Sequence, residues 1–407
     1  MIGSLSLEGR LLFAARAVRS LAFGWLSVVL ALFLARRGLS SAQIGFVFTA
    51  TMVEDALLTM LLSSFAARIG PARIMAWTAP LLTVGGALLL IAEGPRVLIA
   101  GAVLGTLSPN GQEAGPFSPM EQAMLPETVP PSLRNSAFAW YNVFAFLPAA
   151  LGSLGAGIWL EAARLMGLDD LAAYRGMLWA YCAAGLLLAL LYARLSGYRG
   201  NGGRALRAEG PKPRGGLHRS RRVVFELSAL QGLDALAGGF IIQGLLAYWF
   251  HLRFGVGAEV LGPLFFGTSL LSALSFLAAS RLSDRVGLLN TMVFTHLPSN
   301  LLLLAVPFMP TFPLAAAVLL ARHVLSQMDV PARQAYTVAL VAPEERPAAA
   351  GFTTSVRALA QSVAPALTGT AMATAATGLP FFLAGGLKIA YDLGLYARFR
   401  KVSLRND

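Results

Sequence analysis

The chain is short of charge, and the charge it has is lopsided. Of 407 residues only 13% are Asp, Glu, Lys or Arg, with 20 acids against 32 Lys and Arg, while 56% are hydrophobic. A soluble protein carries about 25% charged residues. A soluble core of this bulk would need polar strands and loops to cover it, and they are missing. There is one cysteine, Cys182, which excludes an internal disulfide and a thiolate cluster. The four histidines, His218, His251, His296 and His323, stand at no metal-ligand spacing, and neither a metal nor a cofactor is expected. No Gly-x-x-x-x-Gly-Lys-Ser/Thr loop is found, which disfavours ATP-driven pumping. No Ser/His constellation is found, so a membrane-embedded enzyme is a remote alternative. No large soluble domain is there to make a receptor or scaffold.

What is present is apolar sequence from end to end. Runs of about 20 residues are long enough to cross a hydrocarbon core as helices. An open sheet in lipid would leave its edge groups unsatisfied, and the short alternating segments of a β-barrel are not seen. The pattern predicts an all-α polytopic membrane protein with twelve spans. Bounded by Gly, Pro and charge, these lie at about 11–34, 42–66, 74–93, 97–122, 136–160, 174–195, 224–249, 259–280, 290–308, 312–338, 348–371 and 378–396. Met1 to Arg10 carries no small-residue cleavage site, so the first span is read as retained rather than as a signal peptide.

The net charge of +12 does not point to nucleic acid, because the cations sit at span ends and in one loop. From Arg194 to Arg222 that loop holds Arg194, Arg199, Arg204, Arg207, Lys212, Arg214, Arg219, Arg221 and Arg222 against Glu209 alone. Gly and Pro fill the rest, as in a flexible linker. Charge this dense stays cytoplasmic. Six spans on each side then put both termini in the cytoplasm, with Arg36 and Arg37 dissenting. The expected domains are a six-helix bundle over 1–195, a basic linker over 196–221 and a second bundle over 222–407. The expected home is the plasma membrane (a bacterial inner membrane), the chain acting as a monomer in the lipid bilayer.

The two halves repeat. Ser63-Ser64-Phe65-Ala66-Ala67-Arg68-Ile69-Gly70 matches Ser280-Arg281-Leu282-Ser283-Asp284-Arg285-Val286-Gly287, 217 residues on. At the same offset Arg36 meets Arg253, Gly38 meets Gly255, Gly45 meets Gly262, Pro148 meets Pro365 and Gly152 meets Gly369. Leu and Ala coincidences mean little in so apolar a chain, but Gly, Pro and charge at a constant offset mark a duplicated unit. A membrane protein of two like halves points towards transport.

The motif lies between spans two and three and again between eight and nine. With the linker, it resembles the signature loop of the major facilitator superfamily. The resemblance covers nearly the whole chain and implies two pseudo-symmetric six-helix bundles around a central cavity. The signature is roughly Gly-x-x-x-Asp-Arg-x-Gly. Its second copy here is the fuller, with Ser280, Asp284, Arg285 and Gly287 at the family positions. The first keeps Ser63, Arg68 and Gly70 but has Ala67 in the acid's place. In the family this loop is a cytoplasmic latch, and Asp284 is expected to dominate it. A tight topogenic turn is the plainer reading of both copies. The family's antiporter core in the fifth span, Gly-Pro-x-x-Gly-Gly, is kept only as one Pro and one Gly in Leu147-Pro148-Ala149-Ala150-Leu151-Gly152.

Polar residues within spans are costly and are functional suspects. In span two Glu54 and Asp55 point about 100° apart, and Asp55 is placed near mid-membrane. Span four carries Asn110, Glu113, Gln122 and three prolines, and such backbone at depth lines a cavity or is buried in protein. Glu121 is expected near the cytoplasmic surface. Span five adds Tyr141 and Asn142, and span seven Gln231, Asp234 and Gln243. Span ten carries Gln327, Asp329, Arg333 and Gln334. There Pro331-x-x-Gln334-Ala335 echoes Pro119-x-x-Gln122-Ala123 at an offset of 212. Asp329 and Arg333 stand four apart and can pair on one helix face. Arg357 in span eleven is a candidate contact for an anion or for Asp329, while Arg16 and Arg19 read as snorkelling cations.

These features predict a secondary transporter working by alternating access. Its leading form is proton-coupled efflux of a small organic compound, with Asp55, Glu113, Asp234 or Asp329 carrying the proton or other coupling ion. The alternative is transport of an anionic metabolite or oxyanion through Arg333 and Arg357.

Overall fold

The fold is built from helices whose ends fall where Gly, Pro and charge interrupt the apolar runs. The computed structural model describes residues 5–111, 115–130, 133–197, 220–341, 345–374 and 376–400. Residues 198–219 of the basic linker and Glu113 lie outside them. In chain order the helices are α1 (Leu7–Arg36), α2 (Ser41–Ile69), α3 (Pro71–Ile91), α4 (Pro95–Leu104), α5 (Phe117–Met124), α6 (Arg134–Leu165) and α7 (Asp170–Gly197). They continue with α8 (Arg221–Gly239), α9 (Gln243–Phe254), α10 (Ala258–Val286), α11 (Leu288–Ala305), α12 (Phe312–Leu325), α13 (Asp329–Leu340), α14 (Arg346–Met372) and α15 (Leu379–Phe399). No strand occurs among the described residues. All twelve expected spans fall on these helices. Spans four, seven and ten are each broken in two, as α4–α5, α8–α9 and α12–α13. Prolines and polar residues predicted the first and last of these breaks. The break in span seven, at residues 240–242 just after Gly238-Gly239, was not anticipated.

Among the described residues, eight helical stretches are long and apolar enough to cross a membrane. The other four expected spans fall short for visible reasons. Two are the broken spans four and ten. α14 and α15 carry Arg357, Lys388 and Asp392 inside their apolar runs.

The duplication is physical. α1 packs on α6 and α7, and α8 packs on α14 and α15. α3 packs on α7 and α4, and α11 packs on α15 and α12. The hinge glycines match too. Gly70 and Gly287 have φ of 95° and 85°, and Gly38 and Gly255 have 89° and 67°. These left-handed values suit glycine and end each helix at the repeated position.

Two compact units are defined by their contacts: residues 1–209 with 243–266, and 210–242 with 267–407. In the first, α1 crosses α6 so closely that a Cβ on Gly24 would stand 2.0 Å from the carbonyl oxygen of Ala149. α9 joins this unit: Gln243 Nε2 donates to Ser27 Oγ at 2.8 Å and to Ser153 Oγ at 3.2 Å. In the second, a Cβ on Gly239 would stand 2.3 Å from the carbonyl oxygen of Gln361. Gly24 and Gly239 are 215 residues apart, so the helix pairs repeat nearly in the register of the loops.

Candidate functional site

Each unit buries one cluster of charge, assembled from equivalent helices. In the first unit the centre is Glu121 on α5, with no exposed surface. Arg19 on α1 donates to both its oxygens, Nη1 to Oε1 and Nη2 to Oε2, at 2.7 Å each. Tyr192 on α7 donates to Oε1 at 2.5 Å and Tyr141 on α6 to Oε2 at 2.6 Å. The Arg16 guanidinium lies 4.5 Å from the centre of the Tyr141 ring, and its Nη1 reaches Ser118 Oγ at 3.4 Å. Phe117 stacks on Tyr192 at 5.6 Å and closes the cluster. A bidentate pair with every carboxylate lone pair engaged is the strongest neutralisation available in low dielectric.

Three expectations change here. Arg16 and Arg19 do not snorkel: both are buried, and the acid that Arg19 meets lies inside the protein. Glu121 is not at the surface, because the helix restarted at Phe117 turns it onto α1. Tyr141 is part of this sealed cluster. Asn142, one residue on, is exposed, as is Gln122, whose Nε2 donates to Ser118 Oγ. Asn110 is half-buried beside the break in span four. Asp55 Oδ1 accepts the backbone N–H of Gly115 in that break. Its neighbour Glu54 has a buried Oε2 without a hydrogen-bond partner.

In the second unit the centre is an acid, Asp234 on α8, only 4% exposed. Lys388 Nζ on α15 donates to its Oδ1 at 2.5 Å. Its Oδ2 accepts from Arg333 Nη1 on α13 at 3.0 Å and from Arg357 Nη1 on α14 at 3.2 Å. Arg333 Nη1 also reaches Asp329 Oδ2 at 3.0 Å, the pairing that the four-residue spacing predicted. Arg357 meets Asp234 and the carbonyl of Gln231 rather than Asp329. Gln231 Nε2 donates to Thr337 Oγ1. Gln327 is half-buried and Gln334 exposed. Behind Asp234 lies a second layer, where His296 Nδ1 is 2.8 Å from Asp392 Oδ1 and Asn300 Nδ2 donates to Asp392 Oδ2 at 2.9 Å. Arg322 is buried on α12, with Nη1 3.3 Å from His323 Nε2.

Lys388, Asp392, His296 and Asn300 were missed in the sequence, although each pair stands four apart, the spacing that flagged Asp329 and Arg333. Gln243 belongs with the first unit. The side chains of Arg68, Asp284 and Arg285 are exposed in the last turns of α2 and α10, just before the connecting Gly70 and Gly287.

The loops are the points where the backbone can relax, and the charge sits inside. This duplicated helical bundle, with a buried ionic cluster in each unit, is the architecture of a polytopic membrane protein. The chain belongs to the major facilitator superfamily, whose family model matches residues 12–365. An uncharacterised membrane protein of Saccharomyces cerevisiae, YJR124C, is 26% identical over 97% of this chain and 95% of its own length. Among solved structures, a bacterial homologue of the human lysosomal transporter Spinster, inward-facing and unoccupied, has a TM-score of 0.70 at 14% identity, covering 96% of this chain and 94% of that one. The xylose transporter XylE of E. coli has a TM-score of 0.71 at 13% identity, covering 98% and 99%. At such identity the two structures speak for the fold alone. The family makes the chain a secondary transporter.

Proposed function

We propose that this transporter moves a small organic anion by alternating access of its two six-helix halves, 1–195 and 222–407, and that the Asp234 cluster receives it. One observation carries the reading. Arg357 is the member of the cluster most open to the outside, with 28% of its side chain exposed. Its contacts with Asp234 and Gln231 both use Nη1. A guanidinium has five N–H donors in a planar fork that matches a carboxylate or phosphate. Arg357 is thus anchored by one nitrogen and presents the rest of the fork. Asp234 acts as a built-in counter-anion, holding Lys388, Arg333 and Arg357 in place until a solute anion competes for them.

The efflux reading has less support, because the antiporter core in α6 keeps only Pro148 and Gly152. A second reading, a cationic solute or a coupling proton held in the first half, draws on the unpartnered Oε2 of Glu54. The basic linker supports cytoplasmic termini. Protease that cleaves 196–221 from outside the cell would overturn that orientation.

The test is counterflow in liposomes holding the purified chain, with labelled lactate, gluconate, benzoate and phosphate against choline and tetraphenylphosphonium. An anion is expected to exchange. Arg357→Gln is expected to raise its half-saturating concentration about tenfold to a hundredfold, since a charged hydrogen bond contributes about 1.5–3 kcal/mol. Exchange of a cation only, blocked by Glu54→Gln and indifferent to Arg357→Gln, would reverse the assignment.

A further inference from the structure

We propose that Arg322 is the centre of a second anion site in the same unit, one that takes a single small inorganic anion, with chloride as its probe. Its residues are not those assigned to the transported solute. Arg322 lies three residues from the end of α12, where span ten breaks, and is only 7% exposed. Its Nε is buried without a hydrogen-bond partner. Its one hydrogen bond among the described residues joins Nη1 to His323 Nε2 at 3.3 Å. That leaves the edge formed by Nε and Nη2, whose two parallel N–H bonds grip a carboxylate, an oxyanion or a halide.

The acids of the unit's buried cluster are already matched. Asp234 and Asp329 pair with Lys388, Arg333 and Arg357, and Asp392 faces His296. That sets three carboxylates against three fixed cations before His296 is counted. Arg322 adds a fourth cation, also buried, and no described acid pairs with it. The dipole at the end of α12 favours a cation there, but it amounts to about half an elementary charge. A water molecule can accept from an N–H and still leave the charge uncompensated. A buried cation without a counter-charge is costly, and a bound anion removes that cost.

The side chains beside Arg322 are left with hydrogen-bond donors to spare. Arginine has no acceptor, so His323 Nε2 presents its lone pair to Arg322 and the ring proton sits on Nδ1. Nδ1–H then donates to Ser272 Oγ on α10 at 3.0 Å, with Ser326 Oγ 3.4 Å away. Since Ser272 accepts there, its own O–H remains to donate. Three residues along α10, Ser275 is 2% exposed and its Oγ has no hydrogen-bond partner. Residues three apart on a helix share a face. An arginine edge and two serine hydroxyls are a donor set for an anion. Depth selects for size, because an edge this buried admits a small ion rather than the body of an organic acid.

The test uses the purified full chain in detergent, with sodium methanesulfonate exchanged for sodium chloride at constant ionic strength. Binding of labelled chloride and the midpoint of thermal unfolding are read together. Wild type is expected to bind chloride saturably, one per chain, and its midpoint to rise with occupancy. Arg322→Gln is expected to weaken chloride at least about a hundredfold, through loss of two charged hydrogen bonds. In methanesulfonate alone this variant should unfold no lower than wild type, because it removes a buried charge that has no partner. With chloride present it should unfold lower. An arginine with a purely structural role would lower the midpoint equally in both media, which overturns the site. Arg357→Gln should bind chloride as wild type does, whatever becomes of the solute reading. If Arg322→Gln does not fold, Ser272→Ala decides, with an expected weakening of about fivefold. No saturable chloride binding in wild type, or full binding in Arg322→Gln or Ser272→Ala, overturns the proposal. So does displacement of the chloride by an equal concentration of gluconate, which would make Arg322 part of the solute site.

Discussion

The two buried clusters occupy equivalent places and use opposite signs. On α1 the first unit has a cation, Arg19, and on α5 an acid, Glu121. On α8 the second unit has an acid, Asp234, and on α13 a cation, Arg333. Arg19 and Asp234 are 215 residues apart, as are the close-packed Gly24 and Gly239. Glu121 and Arg333 are 212 apart, the offset of Pro119 and Pro331. That echo was ambiguous in the sequence. The structure gives it a cause, since each proline stands third in a helix that restarts its broken span, α5 at Phe117 and α13 at Asp329. The clusters differ in how they are closed. Glu121 has one guanidinium on both oxygens and two tyrosines besides. Asp234 divides its two oxygens among three cations, one of them part-exposed. The first arrangement is saturated, and the second can be competed apart.

The comparison breaks first at Asp234. Asp234→Asn strips the shared acid from Lys388 and Arg357, while Arg333 keeps Asp329. Removing one partner of a buried ion pair costs about 3–5 kcal/mol, so thermal unfolding in detergent should move down strongly. The sharper expectation is that a transported anion, at saturation, restores more stability to Asp234→Asn than to wild type. A variant that no anion stabilises would mean that Asp234 does not stand in for the solute.

Arg19→Met should cost a similar amount, about 3–5 kcal/mol, by leaving Glu121 uncompensated. The remedy differs between the units. Replacing a whole buried pair by apolar groups is often neutral or stabilising, so Arg19→Met with Glu121→Leu should recover both stability and counterflow. The parallel pair, Asp234→Leu with Arg333→Met, should recover no counterflow. Loss of transport in the first double variant would make the sealed cluster functional and end the contrast.

How much of this could be read in advance follows from where the signal lies. Spans and turns are punctuated by residues with local reasons, as at Gly70, Gly287, Gly38 and Gly255, so twelve spans and the repeat were legible. The pairing of Asp329 with Arg333 was legible because both partners lie on one helix. Arg19 was misread because its partner is 102 residues away, on a helix whose rotation depends on where span four restarts. Lys388 was missed in α15 because its acid is 154 residues away. Asp392, four residues on, shares its helix and was a signal to be had. Buried charge is specified by facing helices, and one chain read in order does not show which faces meet.

The smallest effect concerns the loops, where the repeat was first seen. Asp284 is exposed near the end of α10, beside the start of α11 at Leu288. Its counterpart is Ala67. Exposure makes Asp284→Asn nearly neutral for folding, within about 0.5 kcal/mol. An acid beside a helix N-terminus is favoured by about 0.3–1 kcal/mol. If that increment is made in one conformation of the cycle and lost in the other, the balance between them shifts about two- to fivefold. Turnover of the transported anion should fall by a similar factor in Asp284→Asn, with its half-saturating concentration at the Asp234 site little changed. Arg68→Gln in the first copy should do less, since no acid stands beside it in the motif. An equal loss from both loops would mean that each acts only as a turn, and that the asymmetry between the halves is confined to their buried clusters.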